Sequence, residues 1–149
     1  YGYGKSVWAM IDLDTRQPAD ILAVRGGLIT EYIETEYSCP IEKSSRVKMS
    51  ADAAPVRSID TYYNDVDING HINSVKYIEH MLDLWDVAWY KQHRIKRFEI
   101  AYVAESHQGD KLHFYREQRG TETDFNVRIT KSNVEREETE VCRCRVQFV

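Results

Sequence analysis

The spacing of apolar residues changes period at Ile72, and that change limits the folds open to this chain. From there the apolar positions are Ile72, Val75, Ile78, Leu82, Trp85 and Trp89, stepping by three and four, with Met81 and Ala88 widening the stripe. The spacing predicts an amphipathic helix of about five turns, ending near Lys91, with Trp85 and Trp89 as its bulky anchors. Four strand-like segments follow. In 95–105, Phe98, Ile100, Tyr102 and Ala104 alternate with Arg97, Glu99 and Val103. In 110–117, Leu112 and Phe114 share a face; in 122–131, Phe125, Val127 and Ile129 do. Residues 138–148 form the last, where Cys142, Cys144, Val146 and Phe148 fall on one face and read as core. Gly109-Asp110, Arg119-Gly120 and Ser132-Asn133 supply the turns. One helix and an antiparallel sheet make an α+β fold, and pattern alone does not choose among such folds.

Upstream, residues 56–63 read as a strand leading into the helix. Residues 5–13 also alternate, with Val7, Ala9, Ile11 and Leu13 opposite Trp8 and Met10, which predicts a strand covered on both faces. Asp14-Thr15-Arg16-Gln17-Pro18 ends it. Short helical pieces are expected in 19–33, around Gly26-Gly27. Residues 38–55 lack periodicity and read as a linker.

The chemistry is concentrated at the mouth of the helix, in Asp65-Val66-Asp67-Ile68-Asn69-Gly70-His71-Ile72-Asn73-Ser74-Val75-Lys76-Tyr77. Asp65, Asp67, Asn69, His71 and Asn73 stand at every second position. Such groups can orient water, take a proton and donate to an oxyanion. Each also has a plainer role. Asn69-Gly70 is a frequent hairpin-turn pair, weighed less because a helix follows. Asp67 or Asn69 could only cap that helix. Asp65, Asn73 and Tyr77 read as structural. Backbone N–H groups opening the helix after Gly70 could add an oxyanion donor.

This run resembles the second catalytic-type motif of the acyl-acyl-carrier-protein thioesterases, D-(L/V)-D-(M/V)-N-Q-H-(V/I)-N-N-V-x-Y. Asp65, Asp67, Asn69, His71, Asn73, Val75 and Tyr77 match, while Gly70 replaces Gln and Ser74 replaces Asn. Two further segments are similar to that family. Ser6-Val7-Trp8-Ala9-Met10-Ile11-Asp12-Leu13-Asp14-Thr15-Arg16 follows S-x-W-x-x-M-N-x-D-T-R, with Met10 one place early. Ile100 to Asp110 follows (I/L)-x-Y-x-x-E-C-x-x-(D/G)-D, with Ser106 where many plant members have Cys.

The resemblance implies a hotdog fold, an antiparallel sheet wrapped around one long central helix. It implies that 1–37 is the tail of a first hotdog repeat, 38–55 a linker and 56–149 a second, catalytic-type repeat. It carries catalytic roles to Asp67, Asn69, His71 and Glu105. A carboxylate, Asp67 or Glu105, would activate water or attack the thioester, Asn69 would hold water or the oxyanion, and His71 would orient the carboxylate or move a proton. Ser106 in place of Cys argues against a papain-like nucleophile. Neither metal nor organic cofactor is implied, and His80, His93, His107 and His113 lack metal-ligand spacing.

The implied reaction is hydrolysis of fatty acyl thioesters on acyl carrier protein, releasing free fatty acid for fatty acid biosynthesis. An acyl-CoA thioesterase of the 4-hydroxybenzoyl-CoA type and a non-catalytic acyl-binding module are the alternatives. The chain, 149 residues long with a net charge of -4, fits no general nucleic-acid binder and holds no apolar run of membrane-spanning length. Arg94, Lys96 and Arg97 form a basic cluster, ordinarily a solvated surface, whose functional reading is docking to an acidic carrier. Three cysteines are too few for a disulfide scaffold, so a reducing, cytoplasmic setting is expected. Gly70 and Ser106 favour a bacterial origin, with a plastid one left open. A homodimer is expected if apolar surface belonging under the first repeat is uncovered.

Overall fold

The computed structural model describes residues 2–44, 46–133 and 138–149. The chain divides into two compact units, Tyr1–Ser44 and Ser45–Val149. In the first, the strand expected over 5–13 does not form. Ile11 makes a single bridge to Pro18, across a turn in which the Asp12 carboxylate accepts the Thr15 N–H at 2.7 Å. Alternation predicts a strand only where neighbouring backbone and a core exist to receive it, and here Val7 and Trp8 remain about nine-tenths exposed (93% and 89%). The helical pieces expected in 19–33 are present as 3-10 turns between Ile21 and Tyr32. They are interrupted at Val24–Gly27, where Arg25, Gly26 and Gly27 take positive φ.

The second unit holds a five-stranded antiparallel sheet in the order β1-β3-β4-β5-β2. The strands are β1 (Arg57–Asp60), β2 (Ile95–Tyr102), β3 (Lys111–Gln118), β4 (Asp124–Ser132) and β5 (Glu138–Phe148). The expected turn glycines Gly109 and Gly120 both adopt positive φ, +94° and +70°. The single helix expected from the stripe is two: α1 (Ser74–Leu82) and α2 (Val87–Gln92). Asp86, in extended conformation, caps α2 by accepting the Trp89 N–H at 2.8 Å. A short acidic side chain thus offers the backbone a local partner and restarts the helix.

The apolar stripe survives the break. Ile72, Tyr77, Met81 and Trp85 are buried against Leu112, Phe114, Phe125, Val127, Ile129, Val146 and Phe148 from one face of the sheet. Cys142 and Cys144 are wholly buried there, as the alternation requires. Burial pushes the Cys142 thiol up to about 12 and raises Cys144 further, so both pack as small apolar groups.

The other sheet face is polar. Asp124 receives the Arg145 guanidinium in a two-pronged contact, at 3.0 and 2.6 Å, and the Gln147 amide at 3.2 Å. The Arg145 hydrogen bonds hold the Asp124 carboxyl below its ordinary range. The stabilisation is complete above the unfolded value of about 3.9 and is lost as pH falls through the lower folded value. Asp124→Asn is therefore expected to cost about 2 kcal/mol at neutral pH. That deficit should shrink to nothing as denaturant midpoints are followed into acid; a deficit independent of pH would refute the assignment.

Candidate active site

Residues 65–73 fold back on themselves. Val66 and Ile72 form an antiparallel bridge, the Asp67 N–H donates to the His71 carbonyl at 2.8 Å, and Asn73 N–H donates to the Asp65 carbonyl at 2.8 Å. Asn69 and Gly70 occupy the tip, where Gly70 has φ +83°. The turn reading of Asn69-Gly70 is thus realised together with the helix start: the hairpin closes and delivers Asn73 as the cap of α1, its side chain accepting the Val75 N–H at 2.9 Å.

Asp67 holds this hairpin. Its Oδ1 accepts the Asn69 N–H at 2.8 Å and the His71 N–H at 3.2 Å. Asp65 takes the Tyr62 N–H at 2.8 Å and faces His80 Nε2 at 3.3 Å, tying the hairpin to α1. Most of the backbone donors expected to serve an oxyanion are already spent. Gly70, His71, Ile72, Asn73 and Val75 N–H all donate within the loop, to the Ser106 carbonyl or to the Asn73 side chain.

The segment after β2 supplies the partner. Ile72 N–H donates to the Ser106 carbonyl at 2.8 Å, and this bond sets Glu105 beside His71. Their Nε2 and Oε2 atoms lie 3.4 Å apart, with side chains 28% and 58% exposed, so the pair touches and water reaches it. The His107 ring stands edge-on to His71, with centroids 5.1 Å apart. Of the expected residues, His71 and Glu105 meet, Asp67 grips the backbone of His71, and Asn69 stands exposed at the tip. Among the described residues the Asn69 side chain makes no hydrogen bond.

Ser106 is fully buried, and its hydroxyl is hydrogen-bonded to the Tyr77 phenol. Burial raises the Tyr77 phenol above its ordinary pKa. Two groups escaped the sequence reading. Buried Thr61 lodges its hydroxyl between the carbonyls of His107 and Asp110, at 3.0 and 2.8 Å. Asp110 accepts the His107 N–H at 2.9 Å and pairs with Lys131 at 3.4 Å. Only the closing Asp of the Ile100–Asp110 pattern hinted at this brace, and nothing in the chain marked Thr61. Among the described residues, no group of three His, Cys, Asp or Glu side chains is placed to hold a metal ion.

The family model of the acyl-ACP thioesterase C-terminal domain matches residues 48–149. A crystal structure of an acyl-ACP thioesterase from Bacteroides thetaiotaomicron is 45% identical, with a TM-score of 0.80 over 93% of this chain and 53% of that one. The 12:0-ACP thioesterase from Umbellularia californica is 20% identical, with a TM-score of 0.71 over 93% of this chain and 52% of that one. A hexameric hotdog-fold thioesterase of Campylobacter jejuni, 14% identical, shares the fold with a TM-score of 0.53 over 64% of this chain and 80% of that one. A comparison with curated protein sequences gave no match. The chain spans about half the length of the Bacteroides and Umbellularia proteins. The sheet wrapped on a capped helix is the hotdog fold, and with the match over 48–149 and 45% identity along nearly its whole length, the chain belongs to the acyl-ACP thioesterase family.

Proposed function

We propose that the protein of which this chain is part hydrolyses fatty acyl thioesters on acyl carrier protein and releases free fatty acids for fatty acid biosynthesis. The observation that carries this reading is the contact between His71 and Glu105, open to solvent at the entry of the buried helix. In this scheme Glu105 takes a proton from water as the water oxygen bonds to the thioester carbonyl carbon. Charge develops on the carbonyl oxygen, where the Asn69 amide is the side-chain donor still to spare. The intermediate collapses as the carbon–sulfur bond breaks, and the proton passes from Glu105 by way of His71 to the departing sulfur. Asp67 keeps the hairpin in shape and so keeps His71 within reach.

The arrangement of repeats belongs to the same proposal: 1–37 as the tail of a first hotdog repeat, 38–55 as linker, 56–149 as the second repeat. A reducing, cytoplasmic setting goes with Cys39, Cys142 and Cys144, all of them free thiols. No helix among the described residues is long and apolar enough to cross a membrane. Homodimer formation would cover Val75, Tyr102 and Val103, which are about half exposed at 53%, 49% and 54%.

The test is a panel of acyl-carrier-protein and acyl-CoA thioesters given to the full-length protein. Selective hydrolysis of the carrier-borne esters is expected. Equal or faster rates on CoA esters would move the reading to a general acyl-CoA thioesterase, and acyl binding with no hydrolysis would leave a binding module. Ser106→Ala gives a finer check. With the hydroxyl engaged by Tyr77, its loss is expected to cost about 1 kcal/mol of stability and to leave kcat within a few-fold. A fall of kcat by orders of magnitude would make Ser106 a nucleophile and sink the scheme.

A further inference from the structure

One strip of the polar sheet face, beside residues 46–48, holds more cations than anions, unlike the chain as a whole, whose net charge is -4. Residues 46–50 run over this face: the Asn126 amide donates to the Lys48 carbonyl at 3.0 Å, and Ser50 N–H donates to Glu117 at 3.2 Å. Beside them is a cleft of about 300 Å3 bordered by Arg46, Lys48, Arg128, Arg143, Glu140 and Met49. A second, of about 290 Å3, shares Arg46 and Lys48 and adds Arg119.

Arg128 and Arg143 are direct cross-strand partners. Like charges so placed repel. Arg143 is compensated by Glu140, to which it is ion-paired. Arg128 lies over the Tyr115 ring, 4.4 Å from its centroid, and its buried Nε has no hydrogen-bond partner among the described residues. The nearby Glu138 carboxylate is engaged by Tyr115 and Thr130. Among the described residues this guanidinium, stacked on Tyr115, forms no ion pair of its own, and Arg46 and Lys48 border the same cleft. By contrast, Arg97 of the 94–97 cluster is ion-paired with Glu99.

We propose that this cleft is the docking site for the acidic surface of the carrier protein that delivers the acyl group. The inference rests on the function proposed above. The occupant follows from charge complementarity: carboxylates spaced along a carrier helix would pair with Arg128, Arg46 and Lys48 and relieve the Arg128–Arg143 repulsion.

The test uses full-length protein, the charge-reversal variant Arg46→Glu/Lys48→Glu and the milder Arg128→Gln. Three substrates bear one acyl group: on carrier protein, on CoA and on pantetheine, which has neither phosphate nor carrier. The double reversal is expected to raise KM for the carrier-borne ester about 10-fold or more, with kcat and pantetheine-ester hydrolysis unchanged. Arg128→Gln should give a smaller shift in the same direction, and added salt should erase the difference between wild type and variants. An unchanged KM in both variants would overturn the docking site while leaving the thioesterase reading intact. Equal losses on all three esters would reduce the cleft to a structural feature. A loss on the CoA ester as large as on the carrier would assign it to phosphate. A wild-type protein that ignores carrier-borne esters would remove the proposed function and this site with it.

Discussion

Glu105→Gln is expected to lower kcat by about 10²- to 10⁴-fold, the range lost when a positioned general base is removed, without moving the unfolding midpoint. Glu105 is more than half exposed, at 58% of its side chain, and its contact in the structure is His71 at 3.4 Å. Exposed ion pairs of this kind contribute little to stability, so the change tests chemistry with little structural disturbance. Asp67 calls for a different pair of variants, because its Oδ1 holds the Asn69 and His71 N–H groups. Asp67→Ala strips the hairpin of that acceptor and is expected to lose both activity and about 1 kcal/mol of stability. Asp67→Asn keeps an amide oxygen at the same place and should recover the stability. Its kcat should fall less than that of Glu105→Gln if Asp67 serves the hairpin and Glu105 the proton. The reverse order, with Asp67→Asn the more damaged enzyme and Glu105→Gln nearly normal, would make Asp67 the base. Steady-state rates on one acyl-carrier-protein substrate, beside thermal melts of each variant, decide between the two.

Why some of this was legible in the chain and some not follows from the range of the interactions. Strands β3 to β5 were readable because one face of each is buried, so Leu112 and Phe114, or Val127 and Ile129, repeat with the pleat, and in β2 the partly buried Phe98 and Ile100 keep the same rhythm. The strand expected over 5–13 had the same alternation without a receiving core, and it did not form. The helix stripe was readable for the same reason, yet its break was hidden. Trp85 and Trp89 stay in phase across residues 83–86, and a capping Asp86 inside an apolar rhythm leaves no mark on periodicity. At the site, the hairpin residues are neighbours in the chain and could be read as a cluster. Glu105 is 34 positions from His71 and entered only through the resemblance. What joins them is the Ile72 to Ser106 backbone bond, which no side-chain pattern encodes. The Thr61 brace is of the same kind: a lone hydroxyl satisfying two carbonyls that only the folded chain brings together.

Trp85→Ala is expected to remove about 3–5 kcal/mol, the range for truncating a large buried aromatic, and so a large part of the 5–15 kcal/mol by which a domain of this size is stable. Trp85 is 7% exposed and joins the helical layer to the sheet, its ring centroid 5.2 Å from Phe125 and 5.0 Å from Phe148. The Arg116 guanidinium lies 5.3 Å from the same ring. The indole also carries a cost, since its Nε1 is buried with no partner among the described residues. An unmet buried donor costs about 1–3 kcal/mol. Trp85→Phe removes that donor while keeping a ring against Phe125 and Phe148. The relief offsets much of the lost volume, so a net loss of about 1 kcal/mol is expected. Denaturant midpoints of the two variants separate the terms. Equal, large losses would mean that the Nε1 proton is satisfied and that the whole effect is packing. In either variant kcat per folded molecule should be unchanged at low temperature, because Trp85 supports the end of α1 farthest from the Asn73 cap and the His71 hairpin. A fall in kcat without unfolding would show that the break between α1 and α2 controls the site.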